Sequence, residues 1–389
     1  MAEDPIRTLD PRDPVWTGLL ARDPALASVL PRLTRFFALA PPWAPALVLV
    51  GAQAGAPDGT SVSATGIGAD LRAAAIRALG ETAERLCAFE RPGDIVGRVP
   101  PGALAEPFRP AVRAALAAQG GEADTPIGAV AGADEAGRPV LLPADLVLRR
   151  PRLDLAAFAA RPSSSGMAAG RTREDAIRRA LLEVIERDAA WLWWRGGRPA
   201  GPVPGPDAFV AALRRGADEE RRTWCLDLTG DVGVPVVAAI GCDPDGRGFA
   251  AGVAARPSRD EACRAALREL AGQEVGLILA QGREEGGDGE HHRHTAFDPL
   301  SFDVLSCPLL RPQGPPPPPA RFTDPAAALR AADHPVFVCD LTREDLAVPV
   351  VKVVAPTLVA DAEGPSPRLA AMAALHPEGA RWTCGVPLF

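Results

Sequence analysis

The chain has 389 residues, a hydrophobic fraction of 47% and a formal net charge of −7, so it can bury a large core and lacks the overall basic charge typical of nucleic-acid-binding proteins. Its seven cysteines form no CxxC pair, and the N-terminus MAEDPIRTLD is polar. No apolar run reaches the roughly 18 residues of a membrane span. We therefore expect a protein of the reducing cytoplasm that binds neither nucleic acid nor a membrane.

The first half of the chain predicts strands and helices in alternation. Residues 1–44 are Pro-rich, with a helical pattern at 25–39, and we treat them as an N-terminal segment before one catalytic domain at 45–389. PALVLVGAQAG, at 45–55, predicts a buried strand ending in a glycine turn. TGIG, at 65–68, predicts a further turn, and a long helix follows it to about Phe89.

Shorter elements come next, a helix near residues 111–118 and a strand at 138–148. SSGMAAG, at 164–170, predicts a turn before a second long helix that continues into the aromatic run WLWW. In the second half, residues 224–243 and 337–356 each predict two strands. Both stretches contain Asp-Leu-Thr followed by Val-Pro-Val-Val, so we expect an α/β fold built from repeated strand–helix units.

One helical pattern occurs three times, and it places carboxylates on the side of the helix that small residues occupy. The three copies are AAIRALGETAER at 74–85, AIRRALLEVIER at 176–187 and ACRAALRELAGQ at 262–273. Each copy has an Ala, a second Ala four residues later, a Leu directly after it, and a Glu at the eighth position. The first two copies continue as Glu-x-x-Glu-Arg, whereas the third ends in Gln273.

Residues three and four apart are neighbours on a helix, so each copy aligns its alanines, glutamate and final residue in one stripe. The ordinary interpretation of Glu followed by Arg four residues later is an ion pair on a solvated face. Recurrence of the pattern together with its Ser/Thr/Gly-rich lead-in favours a functional site instead. Two such helices brought together would hold four carboxylates and two arginines.

Clustered carboxylates without His or Cys ligands suit a hard cation such as Mg²⁺, which bridges readily to phosphate oxygens. The candidates are Glu81, Glu84, Asp175, Glu183 and Glu186. The forked side chains of Arg85 and Arg187 could bind phosphate. The turn at Ser165, expected at a helix start, offers hydroxyl and N–H groups to a phosphate. Because neither GxxxxGK[ST] nor GxGxxG occurs, we predict an ATP site that is not of the Walker type.

In order and spacing, these motifs resemble the YcaO family. The resemblance rests on ALGExxER, on SSGMAAGxTxEDAIxxALLEVIERDAAWLWW, on the third repeat helix, and on DLTxxDxxVPVVKVxxP. It implies an enzyme that uses ATP and Mg²⁺ to modify peptide backbone amides. The ERDA-plus-tryptophan segment most resembles the branch that makes thiazole/oxazole-modified peptides, including bacteriocins. In that branch a Cys, Ser or Thr side chain attacks the preceding carbonyl, ATP phosphorylates the oxyanion, and loss of phosphate leaves a thiazoline or oxazoline.

Carried over by position, the resemblance assigns metal and nucleotide binding to Glu81, Glu84, Asp175, Glu183 and Glu186, phosphate contacts to Arg85 and Arg187, and the lining of the site to Glu269 and Gln273. Ser165 stands where the family often has Asn, and Arg77 stands where it often has Ser. The resemblance also implies a precursor peptide as substrate and a separate protein that binds the peptide's leader. A homodimer is a further arrangement that the sequence leaves open.

Two other functions remain open. ATP-dependent chemistry with an external nucleophile would give a thioamide or an amidine. The other function is that of a non-catalytic protein that binds peptide or nucleotide, because the chain ends in WTCGVPLF where some members have an alternating proline tail.

His291, His292 and His294 form a cluster that could bind a transition metal, but a solvated loop is the simpler interpretation. Trp191, Trp193 and Trp194 are expected to pack in the core.

Overall fold

A computed structural model describes residues 6–155, 164–217, 219–285, 302–315, 322, 324–361, 366–383 and 388, with side chains described to residue 278 of the long helix that ends at 285. The histidine cluster at 291–294 lies outside these residues. The strands are β1 (Ile6–Thr8), β2 (Leu33–Leu39), β3 (Val48–Gly55), β4 (Ser61–Gly68), β5 (Gly97–Val99), β6 (Ile127–Asp134), β7 (Pro139–Pro143), β8 (Met167–Ala169), β9 (Gly201–Pro202), β10 (Arg222–Asp227), β11 (Val236–Cys242), β12 (Ala250–Ala255), β13 (Phe337–Asp340) and β14 (Val350–Val354).

The helices are α1 (Val15–Leu19), α2 (Leu71–Cys87), α3 (Arg109–Ala118), α4 (Ala144–Val147), α5 (Arg173–Trp194), α6 (Asp207–Arg214), α7 (Arg259–Glu285), α8 (Pro325–Ala331), α9 (Pro367–Leu375) and α10 (Pro377–Trp382). Of the helices in the described residues, none combines the length and the apolar content that a membrane crossing needs.

Three antiparallel sheets organise the described residues. Their strand orders are β1-β2-β3-β4, β12-β11-β10-β9 and β5-β6-β13-β14-β8, with β7 paired to β6. Strands β4, β12 and β8 are therefore at the ends of their sheets, so the backbone N–H and C=O groups along one edge of each strand are not paired within the sheet. Helix α2 packs against β4 and β8, α5 against β8 and β12, and α7 against β12 and β4. The three repeat helices thus bring the three sheet edges together.

Small residues let these helices lie close to the strands. Ala74, Ala78, Ala176 and Ala180 are fully buried. On the strand side, a Cβ at Gly66 of β4 would lie 2.1 Å from the carbonyl oxygen of Ala74, and one at Gly252 of β12 would lie 2.2 Å from that of Ala266. Backbone cannot move aside as a side chain can, so these contacts require glycine. The alanine stripe therefore serves helix-on-strand packing, and β8 lies between α2 and α5.

Side-chain caps define where the repeat helices begin. Asp70 accepts a hydrogen bond from the N–H of Ala73 at 2.7 Å, so α2 begins after it. Thr172 accepts from the N–H of Asp175 at 3.2 Å and caps α5. The lead-in sequences are therefore not turns at the helix starts. TGIG is the end of strand β4, and the Ser165 turn is separated from α5 by strand β8, so both expectations were wrong.

Other local expectations had mixed outcomes. The long helices, the helix at Arg109–Ala118 and both strand pairs of the second half are confirmed. Residues 33–39 form strand β2, so a helix there was wrong, because pairing with β1 and β3 on its two sides determines the conformation. Residues 138–148 contain strand β7 followed by the short helix α4. Trp193 and Trp194 are fully buried, as expected.

Candidate active site

Three glutamates of the first two repeat helices accept hydrogen bonds from backbone N–H groups of the edge strands β4, β8 and β12. Each accepts a hydrogen bond from a strand N–H group: Glu81 from Thr65 on β4 at 3.0 Å, Glu84 from Ala169 on β8 at 2.7 Å, and Glu186 from Ala255 on β12 at 3.0 Å. An edge strand leaves N–H groups without a partner inside its sheet. The carboxylates supply that partner, which explains how acidic residues occur on a packed helix face.

A carboxylate has two oxygens, and the strand N–H group engages only one of them in each case. The strand contact fixes the orientation of the side chain. In Glu84 and Glu186 the second oxygen can then bind a cation without disturbing the fold, whereas the second oxygen of Glu81 accepts hydrogen bonds from Arg85.

The two Glu-x-x-Glu-Arg motifs form the expected pairs within their helices, but in different surroundings. Arg85 binds Glu81 through Nε at 3.0 Å and Nη2 at 2.5 Å, and its side chain is 47% exposed. Arg187 lies 4.0 Å from Glu183, and those side chains are only 20% and 24% exposed. The ordinary solvated ion pair therefore describes Arg85 better than Arg187.

The carboxyl groups of the three helices influence one another strongly. Burial raises the pKa of Glu84 well above its ordinary value of 4.5, and the charges of Glu183 and Glu81 raise it further. Burial raises the pKa of Glu183 to about 7, with Glu186 adding to the effect and Arg187 opposing it. Mutual repulsion of this kind requires α2 and α5 to present their carboxylates to one shared space.

The third helix contributes to the same space through Glu269. Burial raises the pKa of Glu269 to about 8, and the charges of Glu186 and Glu183 contribute. Burial likewise raises the pKa of Glu186. The charge of Glu81 raises the pKa of Glu183, and the charge of Glu183 raises that of Glu269. The eighth residue of each repeat therefore lies within electrostatic reach of one common space, as the sequence predicted.

A row of arginines borders the carboxylates, and the sequence analysis did not assign it. Burial lowers the pKa of Arg77, and repulsion from Arg256 and Arg179 lowers it further. Burial lowers the pKa of Arg268 to about 10, and Arg77, Arg256 and Arg264 lower it further. Cations that repel one another in this way favour a polyanion between them. The repeat contained a signal for two of them, because Arg77 and Arg179 occupy the same position, four residues before Glu81 and Glu183.

Strand β14 adds a buried cation, Lys352. Its side chain is 3% exposed, and Nζ donates to the carbonyl oxygen of Ser165 at 2.6 Å. Burial lowers the pKa of Lys352 to about 8, while the charge of Glu183 raises it. Lys352 therefore belongs to the electrostatic environment of Glu183, although 169 positions of the sequence separate the two.

Three further candidates have less direct positions. Asp175 binds Arg178 at 2.8 Å and Arg179 at 3.0 Å, and these partners lower its pKa although burial alone would raise it. Ser165 is buried, and its hydroxyl donates to the carbonyl oxygen of Ala360 at 3.0 Å. Gln273 is exposed on α7, one turn beyond Glu269. The functional roles of all the named side chains remain predictions.

The donor set fits Mg²⁺ bound together with a nucleotide. Among the described side chains, no three acidic, His or Cys groups converge closely enough to hold one metal ion by themselves. Mg²⁺ commonly takes one or two carboxylates and completes its octahedron with phosphate oxygens and water. Carboxylates divided among α2, α5 and α7, beside a row of arginines, match that mode of binding better than an all-protein metal cage.

In the described residues, helices of three repeat copies present carboxylates to one shared space beside a row of arginines. Residues 65–359 match the family described as YcaO cyclodehydratase, ATP- and Mg²⁺-binding. The chain therefore belongs to the YcaO family, as the sequence motifs predicted. Membership confirms ATP and Mg²⁺ as the cofactors that the resemblance implied.

One curated relative is an uncharacterized protein of Methanothermobacter thermautotrophicus. It is 29% identical over 224 residues, which are 51% of this chain and 56% of that protein. The chain thus spans about half the length of this relative.

Solved structures confirm the α/β fold. A heterocyclase in complex with substrate and cofactor matches with a TM-score of 0.70 and 20% identity, over 90% of this chain and 54% of that one. YcaO from Methanopyrus kandleri, bound with AMPPCP and Mg²⁺, matches with a TM-score of 0.64 and 24% identity, over 88% and 89%. A chain of the E. coli microcin synthetase McbBCD complex matches with a TM-score of 0.60 and 16% identity, over 83% and 92%.

Proposed function

We propose that the chain uses ATP to cyclodehydrate Cys, Ser or Thr residues of a precursor peptide, forming thiazoline or oxazoline rings. The observation that carries this proposal is the site itself: buried carboxylates from three helices, next to mutually repelling arginines. Membership of a family described as ATP- and Mg²⁺-binding cyclodehydratases supports the same chemistry.

The carboxylates hold the metal ions in this proposal. Strand N–H groups orient Glu81, Glu84 and Glu186. Glu84 and Glu186 offer their second oxygen in a fixed direction, whereas Glu81 must release Arg85 before its second oxygen can bind a metal ion. Glu183 and Glu269 are more readily ionised once a cation compensates the neighbouring charges. The positive charge of the bound metal ion would therefore offset the repulsion between carboxylates that adds to their raised pKa values.

The arginines hold the polyphosphate. Arg187 is half-buried beside Glu183, where its planar fork can bind two phosphate oxygens at once. Arg77 and Arg268 extend the positive surface along α2 and α7. Donors fixed in place before the reaction stabilise charge that develops during phosphoryl transfer, because they need no reorganisation.

The reaction balances without a further co-reactant. The peptide thiol or hydroxyl adds to the preceding carbonyl carbon and loses its proton, and the ring closes. Bound ATP would supply the phosphoryl group that turns the amide oxygen into a leaving group, and Mg²⁺ would neutralise charge on its phosphates. Phosphate departs with that oxygen while the amide nitrogen loses its proton, so peptide and ATP give the azoline, ADP and phosphate.

We further propose that a separate leader-binding protein presents the peptide. One comparison supports this: the similar chain of McbBCD belongs to a complex, which was also solved with pro-MccB17 bound. A partner would provide the recognition of the peptide, while the carboxylate site provides the chemistry.

Mass spectrometry of a precursor peptide encoded beside this chain tests the proposal. The peptide is incubated with the purified chain, its partner, ATP and Mg²⁺. We expect the loss of one water mass per ring and one ADP per ring. Exchange of oxygen for sulfur would instead indicate thioamide formation, and an unmodified peptide with a competent partner would contradict the proposal.

Glu261→Gln is a matched control, since Glu261 is exposed on the first turn of α7, outside the carboxylate cluster. This variant should modify the peptide at the wild-type rate, whereas Glu183→Gln should not.

A further inference from the structure

Asp188 follows Arg187 directly but belongs to a different set of contacts. Its carboxylate is 5% exposed and accepts three hydrogen bonds. Oδ1 accepts from the N–H of Val359 at 2.9 Å and from Nε of Arg368 at 2.8 Å, and Oδ2 accepts from Nη2 of Arg368 at 2.9 Å. The Arg368 contact is bidentate, so it fixes direction as well as distance.

Arg368 belongs to a C-terminal segment, residues 366–383, that docks on the end of α5. Neither α9 nor α10 contains a buried residue, so apolar burial contributes little to holding the segment in place. Its anchors are polar or steric. Besides Arg368, the hydroxyl of the fully buried Thr383 donates to the carbonyl oxygen of Trp194, and Arg195 donates to the carbonyl oxygen of Thr383.

Close backbone contact completes the docking. A Cβ at Gly197, which has a φ of +73°, would lie 2.5 Å from the backbone nitrogen of Ala380. A Cβ at Gly379 would lie 2.6 Å from the carbonyl oxygen of Gly197. Both glycines therefore permit the segment to reach the end of α5, and contacts at residues 379–383 add to the contact of Arg368 with Asp188.

The contacts continue from Asp188 to the candidate active site. Val359, held by Asp188, is followed by Ala360, whose carbonyl oxygen accepts from the Ser165 hydroxyl at 3.0 Å. The carbonyl oxygen of Ser165 accepts from Nζ of Lys352 at 2.6 Å, and Lys352 acts on Glu183. Hydrogen bonds, linked through the backbone of residues 359–360 and through Ser165, thus join the C-terminal segment to Lys352.

We propose that Asp188 and Arg368 are positioning residues, and that their ion pair uses the C-terminal segment to hold residues 359–360, and through them Ser165 and Lys352, in register with the carboxylate site. This inference rests on the proposed nucleotide-binding function. It adds to that function a clamp on α5 whose members do not contact the nucleotide.

The chain offers two matched controls. Asp231 also binds Arg368, at 2.6 and 2.9 Å, but its side chain is 57% exposed and it lies outside α5. Arg381 is an arginine of the same C-terminal segment that pairs with Glu378, and both side chains are at least 77% exposed. Asp231→Asn and Arg381→Ala therefore remove a charge near the clamp or in its segment while leaving Asp188 and Arg368 together.

The test combines amide hydrogen exchange with calorimetry on the full chain, using Mg²⁺ and a non-hydrolysable ATP analogue as the probe. In Arg368→Ala we expect faster exchange at 355–361, where the Val359 N–H loses its fixed acceptor, and about 10- to 100-fold weaker binding of the analogue. Arg368→Lys should recover part of both effects, because an ammonium can still bind one carboxylate oxygen. Both controls should match the wild type.

Wild-type exchange at 355–361 in Arg368→Ala would overturn the clamp, as would faster exchange with unchanged binding of the analogue. Equal effects in Asp231→Asn would also overturn it, since they would show a general charge effect. If Arg368→Ala does not fold, Arg368→Lys decides alone: it must exchange faster than the wild type at 355–361 and bind more weakly. If the wild type binds no nucleotide, the proposed function fails, and the exchange data separately show whether Arg368 holds the segment.

Discussion

Replacing Glu269 by glutamine should stabilise the ligand-free protein while weakening its response to Mg²⁺ and ATP. Glu269 is half-buried on α7, among the charges of Glu186 and Glu183. Glutamine keeps the shape of the side chain and removes the charge that burial and these neighbours disfavour. An increase in stability on mutating a residue is the expected sign of a site arranged for a ligand rather than for the fold.

The magnitude follows from the pKa of Glu269, which burial and the neighbouring carboxylates raise from 4.5 to about 8. Between these values the folded state holds a proton that the unfolded state releases, so stability falls as pH rises through this window. At about 1.4 kcal/mol per pKa unit, the full cost above pH 8 is about 5 kcal/mol. Partial exposure and shared protons among the neighbours reduce it, and we expect about 1–2 kcal/mol.

Thermal unfolding at pH 8 and pH 5.5 measures this effect. Ligand-free Glu269→Gln should unfold about 2–4 °C above the wild type at pH 8, with a smaller difference at pH 5.5, where Glu269 is already largely protonated. With saturating Mg²⁺ and ATP analogue the order should reverse, because only the wild type gains the full binding energy. Glu261→Gln, exposed on the same helix, should show neither change.

A ligand-free Glu269→Gln protein that unfolds at or below the wild-type temperature at pH 8 would refute the reasoning. Such a result would mean that the neighbours of Glu269 stabilise its charged form in the folded protein, rather than repel it.

Three further outcomes follow from the site. Glu186→Gln should not lower the unfolding temperature, because it removes a buried charge and keeps an acceptor for the N–H of Ala255, but it should lose peptide modification. Glu186→Ala should also lose about 1–3 kcal/mol of stability, because the N–H of Ala255 then lacks its acceptor, and equal stability of both variants in unfolding assays would contradict the contact. Arg77→Ala should weaken binding of the ATP analogue about tenfold in calorimetry at low salt, and unchanged affinity would remove Arg77 from the phosphate site. Arg187→Lys should lower single-turnover rates with little change in nucleotide binding, since an ammonium cannot replace the guanidinium fork; unchanged rates would leave Arg187 as the structural partner of Glu183.

The helical spacing of the carboxylates could be predicted from the sequence, because the repeat carries it within twelve residues, whereas their functional roles remain predictions. Glu81, Glu84, Glu183 and Glu186 follow from the pattern alone, and Glu269 from its third copy. What the pattern could not show is the partner of each carboxylate. The N–H groups of Thr65, Ala169 and Ala255 become available only because β4, β8 and β12 end their sheets, which depends on long-range pairing.

The same limit explains the errors. TGIG indicated a turn because of its glycines, yet Gly66 lies in a strand, where it allows backbone contact with α2. Strand β12 was not predicted, although it carries Ala255. Lys352 was part of a recognised motif, but its place beside Glu183 depends on the pairing of β14 with β8. Arg77 and Arg179 could have been found, because they recur at one position of the repeat.

The division of the chain at residue 44 remains a prediction. Strands β1 and β2, which precede residue 44, pair in one sheet with β3 and β4, which follow it.

Calorimetric titration of the wild-type chain with a non-hydrolysable ATP analogue, with Mg²⁺ and then with EDTA, tests the central claim most directly. Carboxylates in the cluster repel phosphate oxygens unless a cation lies between them. We therefore expect tight binding with Mg²⁺, no measurable binding in EDTA, and loss of the Mg²⁺-dependent signal in Glu183→Gln. Equal affinity in both conditions, or wild-type binding by Glu183→Gln, would contradict a site in which these carboxylates hold ATP through the metal.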